Sequence, residues 1–257
     1  MPTPQEIPRK VAAGEGWQWV RSGFVLYRRN PLLLSAAFAM LFGVVMALGL
    51  VPQVGGALSE LASPLMVAGF MAAYRALDEA RDLELPHFLA GVRGPAIPLM
   101  TIGAVQLMGA LLIGKVMENM GFEAEAFIAA ARTQQDPAAL QAMLNEAAPA
   151  VLTGLLLFTP LMMATWFAPV LILFGGARPA TALGVSMKAV LRNWAALLVN
   201  GLAVGGMLFL AALVPLMLGL LVAMPVLFGS LYASYQAIFA VWSDETKPAP
   251  QAGDNFA

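Results

Sequence analysis

The sequence predicts an all-α integral membrane protein, with six transmembrane helices arranged as three hairpins and interfacial amphipathic helices on the cytoplasmic side. Three observations point there. Hydrophobic residues make up 60% of the 257 residues and charged ones only 11%, against about 45–50% and about 25% in soluble domains. Six apolar windows, 31–51, 55–74, 96–116, 150–174, 194–214 and 216–241, reach the roughly 20 residues that a spanning helix needs. A short proline-centred pattern recurs in every second window.

Before the first window, Trp17, Val20, Phe24 and Tyr27 stand at helical spacing beside Arg21, Arg28 and Arg29, the pattern of an interfacial helix with basic anchors. This leading segment is long and rich in Trp and Arg, so it reads as retained and not as a cleaved signal. A similar stripe, Leu183, Met187, Val190 and Leu191 beside Lys188 and Arg192, precedes the fifth window, and Pro86, His87 and Phe88 leading to Arg93 form a shorter version before the third. Residues 1–15 are expected as an N-terminal tail, 16–242 as the membrane domain and 243–257 as a disordered cytoplasmic tail.

The connections sort charge. Arg9, Lys10, Arg21, Arg28, Arg29, Arg75, Arg81, Arg93, Arg178, Lys188, Arg192 and Lys247 fall on one side, and only Lys115 and Arg132 on the other. The positive-inside rule then places both termini in the cytoplasm. The outer connections are short except for 118–149, where two short helices are expected, the second capped by Asp136-Pro137 and ending near Glu146.

The prolines of the second, fourth and sixth windows are Pro64, Pro160 and Pro225. Each has a small residue four positions on (Ala68, Ala164, Gly229) and an alanine eight positions on (Ala72, Ala168, Ala233). Small residues one turn apart let helix backbones approach closely, and neighbours satisfy the carbonyl that a proline frees. All three copies run from outside to inside, so they predict a parallel pseudo-threefold repeat about the membrane normal, with these spans as an inner set.

Polar chemistry inside the windows is sparse. Glu60 lies one turn before Pro64, and Gln106 and Asn200 are the other strong polar side chains well within spans. They are the candidates for a hydrated path, although interhelical hydrogen bonds account for such amides. One histidine, His87, and no cysteine leave no multi-histidine or thiolate metal site. Asp78, Glu79, Asp82 and Glu84 interleave with Arg75 and Arg81 as a solvated, ion-paired helix end. The chain has no phosphate-binding glycine loop, no GxSxG elbow and no HExxH. These absences predict no catalytic residue and no cofactor, and nothing predicts nucleic-acid binding. The expected partners are membrane lipids, with a protein partner or a second copy. The expected roles are binding lipid or another hydrophobic ligand, or scaffolding a membrane complex, with a permease as the alternative.

Trp17 to Pro31, Ser63 to Arg75, Ser186 to Asn193, and the stretch from Pro160 to Pro169 with its Trp-Phe-Ala-Pro resemble a group of proteobacterial multi-spanning inner-membrane proteins. The resemblance implies an inner-membrane location and carries over no activity or site residue. The layout is also similar to the membrane domains attached to glycerophosphodiester phosphodiesterases, although no stretch here answers to their soluble catalytic domain.

Overall fold

Asn30 and Pro31 show how this chain starts its helices. The Asn30 side chain accepts a hydrogen bond from the Leu33 backbone N–H at 3.3 Å, and Pro31 takes the first helical position, where its missing N–H costs nothing. The computed structural model describes residues 8–133 and 136–239, and these fold into twelve α-helices without a strand. They are α1 (Glu15–Tyr27), α2 (Pro31–Gly49), α3 (Gly55–Asp78), α4 (Leu85–Phe88), α5 (Ala90–Arg93), α6 (Ala96–Asn119), α7 (Ala124–Thr133), α8 (Pro137–Thr165), α9 (Ala168–Gly175), α10 (Pro179–Arg192), α11 (Trp194–Ala212) and α12 (Leu220–Ile238). Six stretches are long and apolar enough to cross a bilayer: α2, α3, α6, α8 with α9, α11 and α12.

Consecutive spans touch, α2 on α3, α6 on α8 and α11 on α12, while α3 also packs against α6 and α12. Fully buried Leu34, Phe70, Tyr74, Leu99 and Ile102 mark the core. Phe70 stacks on Phe228 with centroids 4.5 Å apart and meets the edge of Phe88 at 5.3 Å, which joins α3, α12 and α4. Large apolar side chains such as Leu112, Leu156, Leu202 and Phe209 point outward and are more than half exposed. That is how a helix bundle meets lipid, and a bundle in water would have to cover them.

The fourth span departs from its expected form. Asp136 caps a helix as expected, its carboxylate accepting from the Ala138 N–H at 3.0 Å. The helix does not stop near Glu146, however, but runs on through Pro149 and Pro160 to Thr165. The second short helix of the outer loop is therefore the first part of α8, and the loop keeps only α7 as a separate helix. The break comes later, at Trp166-Phe167, after which Pro169 at the second position of α9 restarts the helix. Ser186 of α10 seals this break: its hydroxyl donates to the Met163 carbonyl at 2.8 Å and accepts from the Phe167 N–H at 3.0 Å.

The expected inner set is also only partly formed. Pro64, Ala68, Pro225 and Gly229 are buried, and Ala72 and Ala233 half-buried, where α3 and α12 pack together. Pro160 is exposed and Ala164 half-buried; the fourth span reaches the centre through α9, whose Ala168 is fully buried and which packs on α3.

The faces of the amphipathic segments differ from expectation as well. In α1 the buried face is Gly16, Trp19, Val20, Gly23, Leu26 and Tyr27, whereas Trp17 and Phe24 are 60% and 45% exposed. A face with two glycines brings α1 closer to its neighbours than a face of bulky side chains would allow. In α10, Ala182, Val185, Ser186, Ala189 and Val190 are buried and Leu191 is exposed. The short α4 starts as expected at the His87 region, where His87 Nδ1 meets the Glu84 backbone N–H at 3.1 Å in a capping box.

Residues 243–257 and 1–7 of the expected tails lie outside the described residues. Residues 8–14, counted with the N-terminal tail, are tied down: the Arg9 N–H donates to the Ile238 carbonyl at 2.9 Å. The Asn193 side chain accepts from the Val11 N–H at 2.8 Å and donates to the Arg9 carbonyl at 2.9 Å.

Candidate functional site

Glu60, Gln106 and Asn200 do not form one site. Asn200 is buried, and its amide donates to the Ser230 hydroxyl at 2.6 Å and to the Gly16 carbonyl at 3.2 Å, holding α11, α12 and α1 together. The Gln106 amide reaches the Thr165 hydroxyl at 3.4 Å between α6 and α8, while its buried side-chain oxygen has no hydrogen-bond partner among the described residues. Glu60 is half-buried on α3, with its backbone against Gly103 of α6. Its carboxylate makes no hydrogen bond or ion pair among the described residues. Two of the three side chains are thus used in contacts between helices.

A concavity lies elsewhere, at the end of the bundle where Arg9 meets Ile238. It is a groove of about 980 Å³ between α1, the ends of α3 and α12, and α9, at the upper end of the size range of small-molecule sites. The seating of α1 creates it. A Cβ on Gly23 would stand 2.5 Å from the Ser230 nitrogen and 2.8 Å from the Val226 carbonyl oxygen of α12. A Cβ on Gly16 would stand 2.1 Å from the Ala196 carbonyl oxygen of α11. Gly229, across from Gly23, leaves room for the Tyr74 ring, whose hydroxyl donates to the Pro225 carbonyl.

With α1 so placed, its other face becomes one wall. Glu15, Gln18, Ser22, Val25 and Arg29 line the groove at alternating three- and four-residue steps, with Arg21 beside them. The opposite wall is Arg75, Asp78 and Glu79 at the end of α3, together with Tyr232, Tyr235 and Gln236 on the last two turns of α12. Phe174 and Phe239 add aromatic surface, and the Arg75 guanidinium lies over the Phe174 ring at 5.0 Å.

Two of the three acids are already satisfied. Asp78 accepts from the Gln236 amide at 2.9 Å and the Tyr232 hydroxyl at 3.2 Å. Glu79 accepts from Arg75 at 2.8 Å and from Arg81. Burial works to raise the pKa of Glu79, but the hydrogen bonds and charges of the two arginines outweigh it and hold the carboxyl below its usual range. The ion-paired helix end read from the sequence is formed only at Glu79: Asp78 turns to α12, Glu84 takes part in the capping box with His87, and Asp82 has no ion pair among the described residues. Arg29 donates to the Leu77 carbonyl. Among the described residues, the side chains of Arg21 and Glu15 have no ion pair or hydrogen bond, and the Tyr235 hydroxyl has no hydrogen bond. The indole N–H of Trp19, a wall residue, is buried without an acceptor among them.

The groove escaped the sequence because its walls come from segments more than 200 residues apart. One signal was available, Gly16 and Gly23 two turns apart on α1, which marks a face of close helix contact. Among the described residues, no three of His, Asp and Glu group as metal ligands.

No family model matches the chain, and no solved structure gives a significant match. A probable inner membrane protein of Burkholderia thailandensis is 30% identical over 267 aligned positions, covering 95% of this chain and 98% of the relative. With that similarity running nearly end to end, and with six helices able to span a bilayer, the chain belongs to the family of that probable inner membrane protein and is a multi-span helical membrane protein.

Proposed function

We propose that the protein is a non-enzymatic inner-membrane protein that binds a membrane lipid in the groove beside α1. The observation that carries this is the groove's composition: arginines and other polar groups on both walls, with the rings of Phe174, Tyr232, Tyr235 and Phe239 among them, at the ends of the spans. There the hydrocarbon gives way to head groups, and tyrosines and arginines are at home. The sorting of basic residues supports placing this end, with both termini, in the cytoplasm. The resemblance to membrane domains attached to glycerophosphodiester phosphodiesterases suits a membrane part that handles lipid, and adds no residue to the site.

Three hairpins in a pseudo-threefold arrangement are part of the same proposal. Each amphipathic segment lies on the second span of the hairpin before it, taken cyclically: α4 and α5 on α3, α10 on α8, and α1 on α12. The contacts fall close after each proline. Gly91 and Phe88 touch Leu65 and Gly69, Ser186 bonds Met163 and Phe167, and Gly23 touches Val226 and Ser230. A permease path, the alternative, draws nothing from the separation of Asn200 from Gln106 and from their use in helix contacts.

Native mass spectrometry of protein released gently from its own membrane tests the proposal. Wild type and Glu60→Gln are both expected to retain phospholipid at a reproducible stoichiometry. A folded wild-type protein that emerges bare of lipid would refute lipid binding, and lipid retention abolished by Glu60→Gln would move the site away from the groove.

A further inference from the structure

We infer that the groove recognises the phosphate of an anionic phospholipid, with Arg21 as its principal contact; this rests on the lipid-binding role proposed above. Hydrogen-bond capacity on the groove wall is unbalanced. Asp78 and Glu79 are engaged by Tyr232, Gln236, Arg75 and Arg81. Each guanidinium carries five N–H donors. Arg29 spends one on the Leu77 carbonyl and Arg75 one on Glu79, while the Arg21 side chain has no partner among the described residues. The Tyr235 hydroxyl adds a donor. Trp19 borders the same groove, but its indole N–H is shielded and is not counted among the groove's donors. A wall of this kind calls for an anion with several acceptor oxygens, and guanidinium forks match phosphate.

The position of the groove selects a lipid phosphate. It opens at the last two turns of α12, about 10 Å of helix, and Phe174, Tyr235 and Phe239 offer apolar surface beside the arginines. An acyl-bearing ligand can use both surfaces, whereas a free phosphate can use only one. Glu15, the acid without a partner, stands six residues from Arg21, about 9 Å along α1, so it is not an immediate neighbour of the phosphate contact that could receive an ammonium head group.

The test uses full-length protein in mixed micelles supplied with equal phosphatidylglycerol and phosphatidylethanolamine. Bound lipid is counted by native mass spectrometry, and melting curves confirm the fold of each variant. Wild type should hold phosphatidylglycerol about tenfold over phosphatidylethanolamine, and Arg21→Gln should remove that preference while total lipid is kept. Arg21→Lys should recover part of it, because charge returns without the fork. Arg28→Gln, outside the groove, should leave it unchanged, and inorganic phosphate at millimolar concentration should displace nothing. Retained lipid without preference, a preference that survives Arg21→Gln, or displacement by inorganic phosphate would each overturn the inference. Wild-type protein holding no lipid would instead overturn the proposed function beneath it.

Discussion

Gly23→Ala is expected to unseat α1 and lower stability by about 3 kcal/mol, the upper part of the range for overpacking. The added methyl would stand 2.5 Å from the Ser230 nitrogen, 2.7 Å from the Gly229 carbonyl carbon and 2.8 Å from the Val226 carbonyl oxygen. All three atoms are helix backbone, which cannot step aside as a side chain can. The strain is relieved only if α1 moves away from α12, and that opens the wall bearing Arg21, Ser22 and Arg29. Thermal melting in lipid-supplemented detergent should show a midpoint lower by about 6–12 °C, with loss of bound lipid. Gly184→Ala, where a Cβ meets nothing within 4 Å, is the matched control and should melt like wild type. If Gly23→Ala melts like that control, α1 does not sit on α12 as described.

Phe70→Ala carries the second large effect, a loss of about 3–5 kcal/mol. Phe70 is fully buried; besides its stacking on Phe228 and edge contact with Phe88, it meets Phe38 with centroids 6.4 Å apart. Helices in lipid gain little from hydrophobicity itself, since acyl chains are as apolar as a leucine, so the contacts and shape of this cluster carry the association. Phe209→Ala removes the same atoms from a ring that is 67% exposed and should change stability by less than about 0.5 kcal/mol. Denaturation of both variants in one mixed-micelle series reads the contrast directly. Equal losses would mean that Phe209 is packed as Phe70 is and does not face lipid.

The spans were legible because length and apolarity are local properties. The windows at 31–51, 96–116 and 194–214 differ by only a few residues from α2, α6 and α11. Asp136-Pro137 was legible too, as a cap needs only its own neighbours. The extent of α8 was not, because Pro149 looks like a boundary in isolation, and whether a helix runs through a proline is decided by what surrounds it. The face of α1 was misjudged for a related reason. Trp17 and Phe24 dominate an apolar stripe, yet what a helix buries depends on how near its partner can come, and Gly16 and Gly23 settled that. Asn200 looked like a candidate for a path, and its partners Gly16 and Ser230 lie 184 and 30 residues away. The groove is assembled from α1, α3, α9 and α12, and its one local signature, Gly16 and Gly23 on α1, marks a close helix contact and not a cavity.

The most direct measurement is an experimental structure of the full chain in nanodiscs made from its own membrane. It should show α1 seated on α12 at Gly23 and Gly229, with phospholipid density in the groove and its head group beside Arg21. A groove filled by protein, or α1 lifted from α12 with lipid bound elsewhere, would contradict it.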